Sequence, residues 1–99
     1  MREIFRRGTL VVWAGIDQHG RLAIEGQDLG GHPATSEYEY FIWIAPEHWP
    51  LVRRALGGQE YDDVVELIAA NAERLVTAGE RSWLQAHDIP LEFDCRIGE

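Results

Sequence analysis

LAIEGQDLGGHPATSEYEYFIWI, residues Leu22 to Ile44, holds two runs of strand periodicity joined by a glycine-rich segment, and their placement decides the fold. In the first run Leu22 and Ile24 alternate with Ala23 and Glu25, the period-two signature of a strand with one buried side. In the second, Glu37 to Ile44, the residues Tyr38, Tyr40, Ile42 and Ile44 share one face, and Glu37, Glu39, Phe41 and Trp43 share the other. Both faces become apolar toward Ile44, as expected of a central strand. Between the runs, Gly26 to Gly31 predicts a glycine-rich corner, and Asp28 to Ser36 has loop composition. No helix follows those glycines, so a phosphate-cradling role is not expected of them.

Working outward on the N-terminal side, Thr9 to Ile16 is β-branched and aromatic and predicts a strand. Asp17 to Gly20 separates it from Leu22. A type I turn closed by Gly20 in the left-handed conformation, the three-residue hairpin with a G1 bulge, would pair Asp17 with Arg21 and Ile16 with Leu22. Ala14 then faces Ile24, Val12 faces Gly26, and Trp13 lies across from Glu25. A shift of one residue would put Ala14 beside Ala23 and Val12 beside Glu25 on one face, mixing core with charge, so turn chemistry and hydrophobic pattern agree on the register.

On the C-terminal side, a helix is expected from Pro46 or Pro50 to Leu56, stopped by Gly57 and Gly58, with Trp49, Val52 and Leu56 as its buried stripe. A second begins near Tyr61 or Asp62 and carries Val64, Ile68, Ala72 and Leu75 on one side, ending between Ala70 and Ala78. A third runs from Glu80 to His87. Leu91 to Ile97 alternates as a last strand, with Leu91, Phe93, Cys95 and Ile97 predicted inward. The expected fold is α+β: an antiparallel four-stranded sheet with about three helices packed on one face, in the order βββαααβ, forming one domain over residues 1–99.

Composition narrows the function classes. The 99 residues carry 17 acids against 9 bases, a net charge of -8, and every base is arginine. That balance disfavours nucleic acid and anionic membranes, both of which require clustered cations, and favours a basic protein partner. Cys95 is the one cysteine, so no internal disulfide is expected, an intermolecular bridge has no support in the sequence, and a reducing cytoplasm is the expected location. The basic start, Met1 to Arg7, precedes an apolar run too short for a secretory signal, and no run reaches transmembrane length.

Catalytic and cofactor motifs are missing. His19, His32, His48 and His87 fall in separate elements without metal-ligand spacing, so neither a metal nor a cofactor is expected. Cys95 and His87 form a weak nucleophile–base candidate because the cysteine is predicted inward. There is no Gly-x-Ser-x-Gly elbow, and a chain without lysine has no phosphate loop of the usual kind. An enzyme is therefore not expected. The chemistry on offer is a sheet face turned away from the helices. Trp13, Phe41 and Trp43 supply aromatic anchors there; Glu25, Glu37, Glu39, Glu92 and Asp94 supply acids. These eight are the candidate partner-binding residues.

The motif Glu25-Gly26-Gln27-Asp28-Leu29-Gly30, followed by Ser36-Glu37-Tyr38-Glu39-Tyr40 and a terminal Ile89-Pro90-Leu91-Glu92-Phe93, is similar to a group of short acidic bacterial proteins that resemble immunity proteins of polymorphic toxin systems. The resemblance spans most of the chain and carries no catalytic residues. It implies a stoichiometric inhibitor. Charge, size and the missing catalytic motifs together lead to the expectation of a small cytoplasmic binding protein that covers the cationic site of a basic toxin or enzyme with carboxylates. The alternative is a homodimeric structural or regulatory module that buries Trp13, Phe41 and Trp43 against a second copy.

Overall fold

The Asp17 turn forms as its residues dictate. Gly20 adopts φ +75°, its N–H donates to the Asp17 carbonyl at 3.0 Å, and the Asp17 N–H donates to the Arg21 carbonyl at 2.9 Å. The Asp17 carboxylate also accepts from the backbone N–H groups of His19 and Arg21. The flanking strands pair as predicted, with Ile16 opposite Leu22, Ala14 opposite Ile24, Trp13 opposite Glu25 and Val12 opposite Gly26.

The computed structural model describes residues 1–30 and 37–98. Its strands are β1 (Arg2–Arg7), β2 (Leu10–Ile16), β3 (Leu22–Leu29), β4 (Glu37–Ile44) and β5 (Glu92–Gly98). A 3-10 turn, Pro46–His48, leads into α1 (Trp49–Ala55), followed by α2 (Val64–Ala70), α3 (Ala72–Ala78) and α4 (Glu80–Ala86). The sheet is a five-stranded antiparallel meander in the order β1-β2-β3-β4-β5.

This corrects the four-stranded, three-helix expectation at two places. Arg2–Arg7 does not alternate, because Ile4 and Phe5 are adjacent. A bulge between Glu3 and Phe5 absorbs the extra residue and leaves both apolar side chains partly buried against the core. A strand with a bulge and four charges carries no period-two signal. The expected second helix is two, broken at Asn71 (φ -111°, ψ 16°), whose side-chain amide donates to the Leu67 carbonyl at 2.8 Å and whose own backbone starts the next helix. The buried stripe Val64, Ile68, Ala72 and Leu75 runs through that break, which is why periodicity alone does not reveal it. The N-cap is Asp63, whose carboxylate accepts from the N–H groups of Val65 and Glu66.

The core lies on one side of the sheet. Val12, Ala14, Leu22, Ile24, Ile42 and Ile44 meet Val52 of α1, Val64 and Ile68 of α2, Leu75 of α3, and Trp83 and Leu84 of α4. β5 lies at the edge beside β4, and its predicted inward row holds only in part. Phe93 packs against the core, but Cys95 is exposed and Ile97 is 65% exposed. α4 reaches β5 at Phe93, where the Arg81 guanidinium stands 4.1 Å from the ring centre.

The predicted corner is also corrected, since Gly26 to Leu29 continue β3 and only Gly30 (φ +93°) leaves it. Asp28 accepts a hydrogen bond from the Thr9 hydroxyl. Gly31 to Ser36, including His32 and the rest of the predicted loop, lie outside the described residues. Gly26 sits directly opposite Tyr40, whose ring crosses it so closely that a Cβ there would overlap the ring. Gly26→Ala is expected to lose about 1–3 kcal/mol to overpacking, and at ~4–8 °C per kcal/mol for a domain of this size thermal unfolding by circular dichroism will show it; an unchanged melting temperature would mean that the ring has room to move.

Candidate functional site

Strand alternation assembles the face opposite the helices. One row runs Glu3, Trp13, Glu25, Phe41, Asp94 across all five strands; its neighbours run Val11, Gln27, Glu39, Arg96 and Gly15, Ala23, Trp43, Glu92. Glu37 is next to Leu29 and Gly98 at one end. All eight candidate residues therefore share one face. Glu25 and Glu39 form its centre with Trp13 and Phe41, while Glu37 and Glu92 lie at opposite ends.

The surface has relief. The Phe41 and Trp43 rings stack at 5.9 Å with planes 6° apart. Trp13, Phe41 and Trp43 are each half-buried. A groove of about 320 Å³ opens between Met1, Trp13, Glu25, Gln27, Glu39 and Phe41. The Met1 thioether lies over Gly15, where a Cβ would come within 2.8 Å of the sulfur. Ala23 between Gly15 and Trp43 is only 1% exposed although it points to this side.

Two arginines join the site without having been expected there. Arg21 stands 5.0 Å from the Trp43 ring centre, held by the Asp17 carboxylate at 2.9 Å and facing Glu92 at 3.6 Å. Arg96 stands 5.4 Å from the Phe41 ring centre. The alternation of β5 puts Arg96 on the outer face and so signals it; for Arg21, the turn register was the available clue. The Glu39 carboxyl is held above its usual range, first by hydrogen bonding to the neighbouring Glu37 carboxyl, then by desolvation and by the negative charge of Glu37, with Glu25 adding to it and Arg96 opposing. The acids of this face thus feel one another, and a cation brought to it relieves that repulsion.

A second polar feature lies on the helix side. Glu80 opens α4, is 7% exposed, and accepts a 2.6 Å hydrogen bond from the Tyr40 hydroxyl. A groove of about 300 Å³ runs past this pair, lined by Tyr38, Tyr40, Glu80, Arg81, Ser82 and Phe93. Burial raises the Glu80 carboxyl above the usual range, against the hydrogen bonds from Tyr40 and from its own backbone N–H. Burial and the adjacent carboxylate raise the Tyr40 phenol strongly. The sequence signal for the pair was Tyr40 itself, since a tyrosine on the core face of a central strand requires a partner for its hydroxyl. Among the described residues, no group of three His, Cys, Asp or Glu side chains is arranged to hold a metal ion. No described helix is long and apolar enough to cross a membrane.

A carboxyl whose folded pKa is raised favours folding most below its unfolded value, near 4.5, and that contribution is lost as pH rises through the folded pKa. Glu80→Gln keeps an acceptor for Tyr40 and removes the buried charge. The variant is expected to melt higher than the parent at pH 8, with the difference vanishing below about pH 4.5 where the parent carboxyl is neutral in both states; melting curves across pH that stay parallel would contradict the assignment.

No protein-family model matches this chain, and comparisons with curated proteins and with solved structures found no match.

Proposed function

We propose that this chain is a stoichiometric binding protein, of the immunity-protein kind, that inhibits a basic toxin or enzyme by laying its open sheet face over the partner's cationic site. The observation that carries the reading is the convergence of Glu25, Glu39 and Asp94 with Trp13 and Phe41 on a face that the helices leave uncovered. Aromatic side chains at the centre of such a surface supply contact area and exclude water. The surrounding carboxylates and the net charge of -8 steer a basic partner and occupy the positions its anionic substrate would take. Face-to-face pairing of two copies through Trp13, Phe41 and Trp43 is less favourable, because it sets Glu25, Glu39 and Asp94 against like charges.

The partner is to be captured from the source cells with the wild-type chain and its affinity compared with that of a Glu25→Lys, Glu39→Lys variant. The expected loss is at least tenfold, about 1.4 kcal/mol, and wild-type binding should weaken as salt rises. Trp13→Ala is expected to cost about 2 kcal/mol as a central anchor. Affinity unchanged in both variants for every captured protein would remove this face from the binding site.

A further inference from the structure

The two edges of the sheet are built differently. β1 is protected: its bulge interrupts the ladder, and Arg2 and Arg7 are tied across to Glu66 of α2 and Glu73 of α3. β5 has no such interruption, pairing residue for residue with β4 from Glu92 to Gly98. The Cys95 N–H does not serve that ladder. The Leu29 N–H donates to the Thr9 carbonyl, and alternation carried from there through the pairings of β3, β4 and β5 turns the backbone groups of Phe93, Cys95 and Ile97 to the edge that no described strand covers; the Cys95 N–H donates to the Asp94 carboxylate at 2.9 Å. Cys95 and Ile97 are exposed beside it.

We propose that β5 is a dimerisation edge, at which two copies of this chain pair antiparallel about a two-fold axis between their Cys95 residues to form a continuous ten-stranded sheet. The order Phe93-Asp94-Cys95-Arg96-Ile97 is self-complementary about its centre. Asp94 of each protomer falls opposite Arg96 of the other, and Phe93 falls opposite Ile97. The acid–base pairs lie on the open face and the apolar pairs on the helix side. Cross-strand neighbours of these types stabilise a ladder. A slip of two residues in one direction places Asp94 opposite Asp94, and in the other it places Arg96 opposite Arg96. A slip of one residue sets core-side residues against the open face. Charge and alternation therefore admit one register. On pairing, the Asp94 carboxylate releases the Cys95 N–H to the partner's carbonyl and turns to Arg96, so no backbone donor is stranded. The axis stands perpendicular to the sheet, so both open faces look the same way and the acid–aromatic surface is doubled. The interface is isologous, as closed dimers require.

Sedimentation equilibrium of the full chain tests the proposal. The wild type is expected to dimerise, Asp94→Arg and Arg96→Asp are each expected to weaken dimerisation at least tenfold, and the double variant, which exchanges the charges, is expected to restore it. Circular dichroism establishes that each variant is folded. A test free of mutations uses copper-phenanthroline as oxidant on the wild type. Opposed residues of a hydrogen-bonded pair lie with Cα atoms about 5.5 Å apart, within the range a disulfide spans, so Cys95 should crosslink rapidly in the dimer. A wild type that stays monomeric at its highest soluble concentration overturns the proposal. So does a dimer that is indifferent to the single charge reversals or is not restored by the double one.

Discussion

The turn at Asp17 to Gly20 is the constraint on which the remaining structure depends. One carboxylate, bonded to two backbone N–H groups and to Arg21, and one glycine at positive φ set the register of β2 against β3. Side chains alternate along a strand, so that register decides at once what enters the core and what reaches the open face. Ala14 with Ile24 and Val12 with Gly26 go toward the helices; Trp13 with Glu25 go the other way. β4 inherits the alternation through Ile42 and Phe41, and β5 through Phe93 and Asp94. A single local geometry is thereby propagated across the width of the sheet.

The open face is a balance of charges rather than a plain acidic field. Arg21 and Arg96 lie over Trp43 and Phe41, giving partial cover to two of the three aromatics at little cost, because a guanidinium stays solvated at its edges while it contacts a ring. Trp13 shares its groove with carboxylates and Met1. The face thus has an acidic centre beside Trp13 and a rim where the chain's own cations already sit, an arrangement suited to a partner that contributes the missing positive charge.

On the helix side, Gly26, Tyr40 and Glu80 form one unit. The missing side chain at Gly26 lets the Tyr40 ring cross β3, and the ring in turn delivers its hydroxyl to the Glu80 carboxylate. Placing an ionisable carboxyl against the core is unfavourable unless its hydrogen bonds are met; the tyrosine and the first amide of α4 supply them. This polar contact ties α4 to the centre of the sheet at a definite position, whereas the apolar contacts of Trp83 and Leu84 are less directional.

Much of this was legible in the residues. The hairpin register, the stripes Val64–Ile68–Ala72–Leu75 and Leu22–Ile24, and the shared face of Trp13, Glu25, Glu39 and Phe41 follow from periodicity and turn chemistry, because these depend on neighbours a few positions apart. β1 was hidden, since Arg2–Arg7 becomes a strand through pairing with β2 and through a bulge that breaks the alternation by which strands are recognised. Gly26 read both as the residue facing Val12 and as the start of a corner, because glycine favours turns locally; that β3 runs on through Gly26 to Leu29 is decided by its pairing with β4, where Tyr40 lies opposite, fourteen positions away. The exposure of Cys95 and Ile97 depends on where the helical layer ends. The sequence by itself determined which face of β2, β3, β4 and the helices is apolar, a matter of local spacing. Only the tertiary structure decided which elements cover those faces and which edge stays open, because that depends on contacts between residues far apart in the chain.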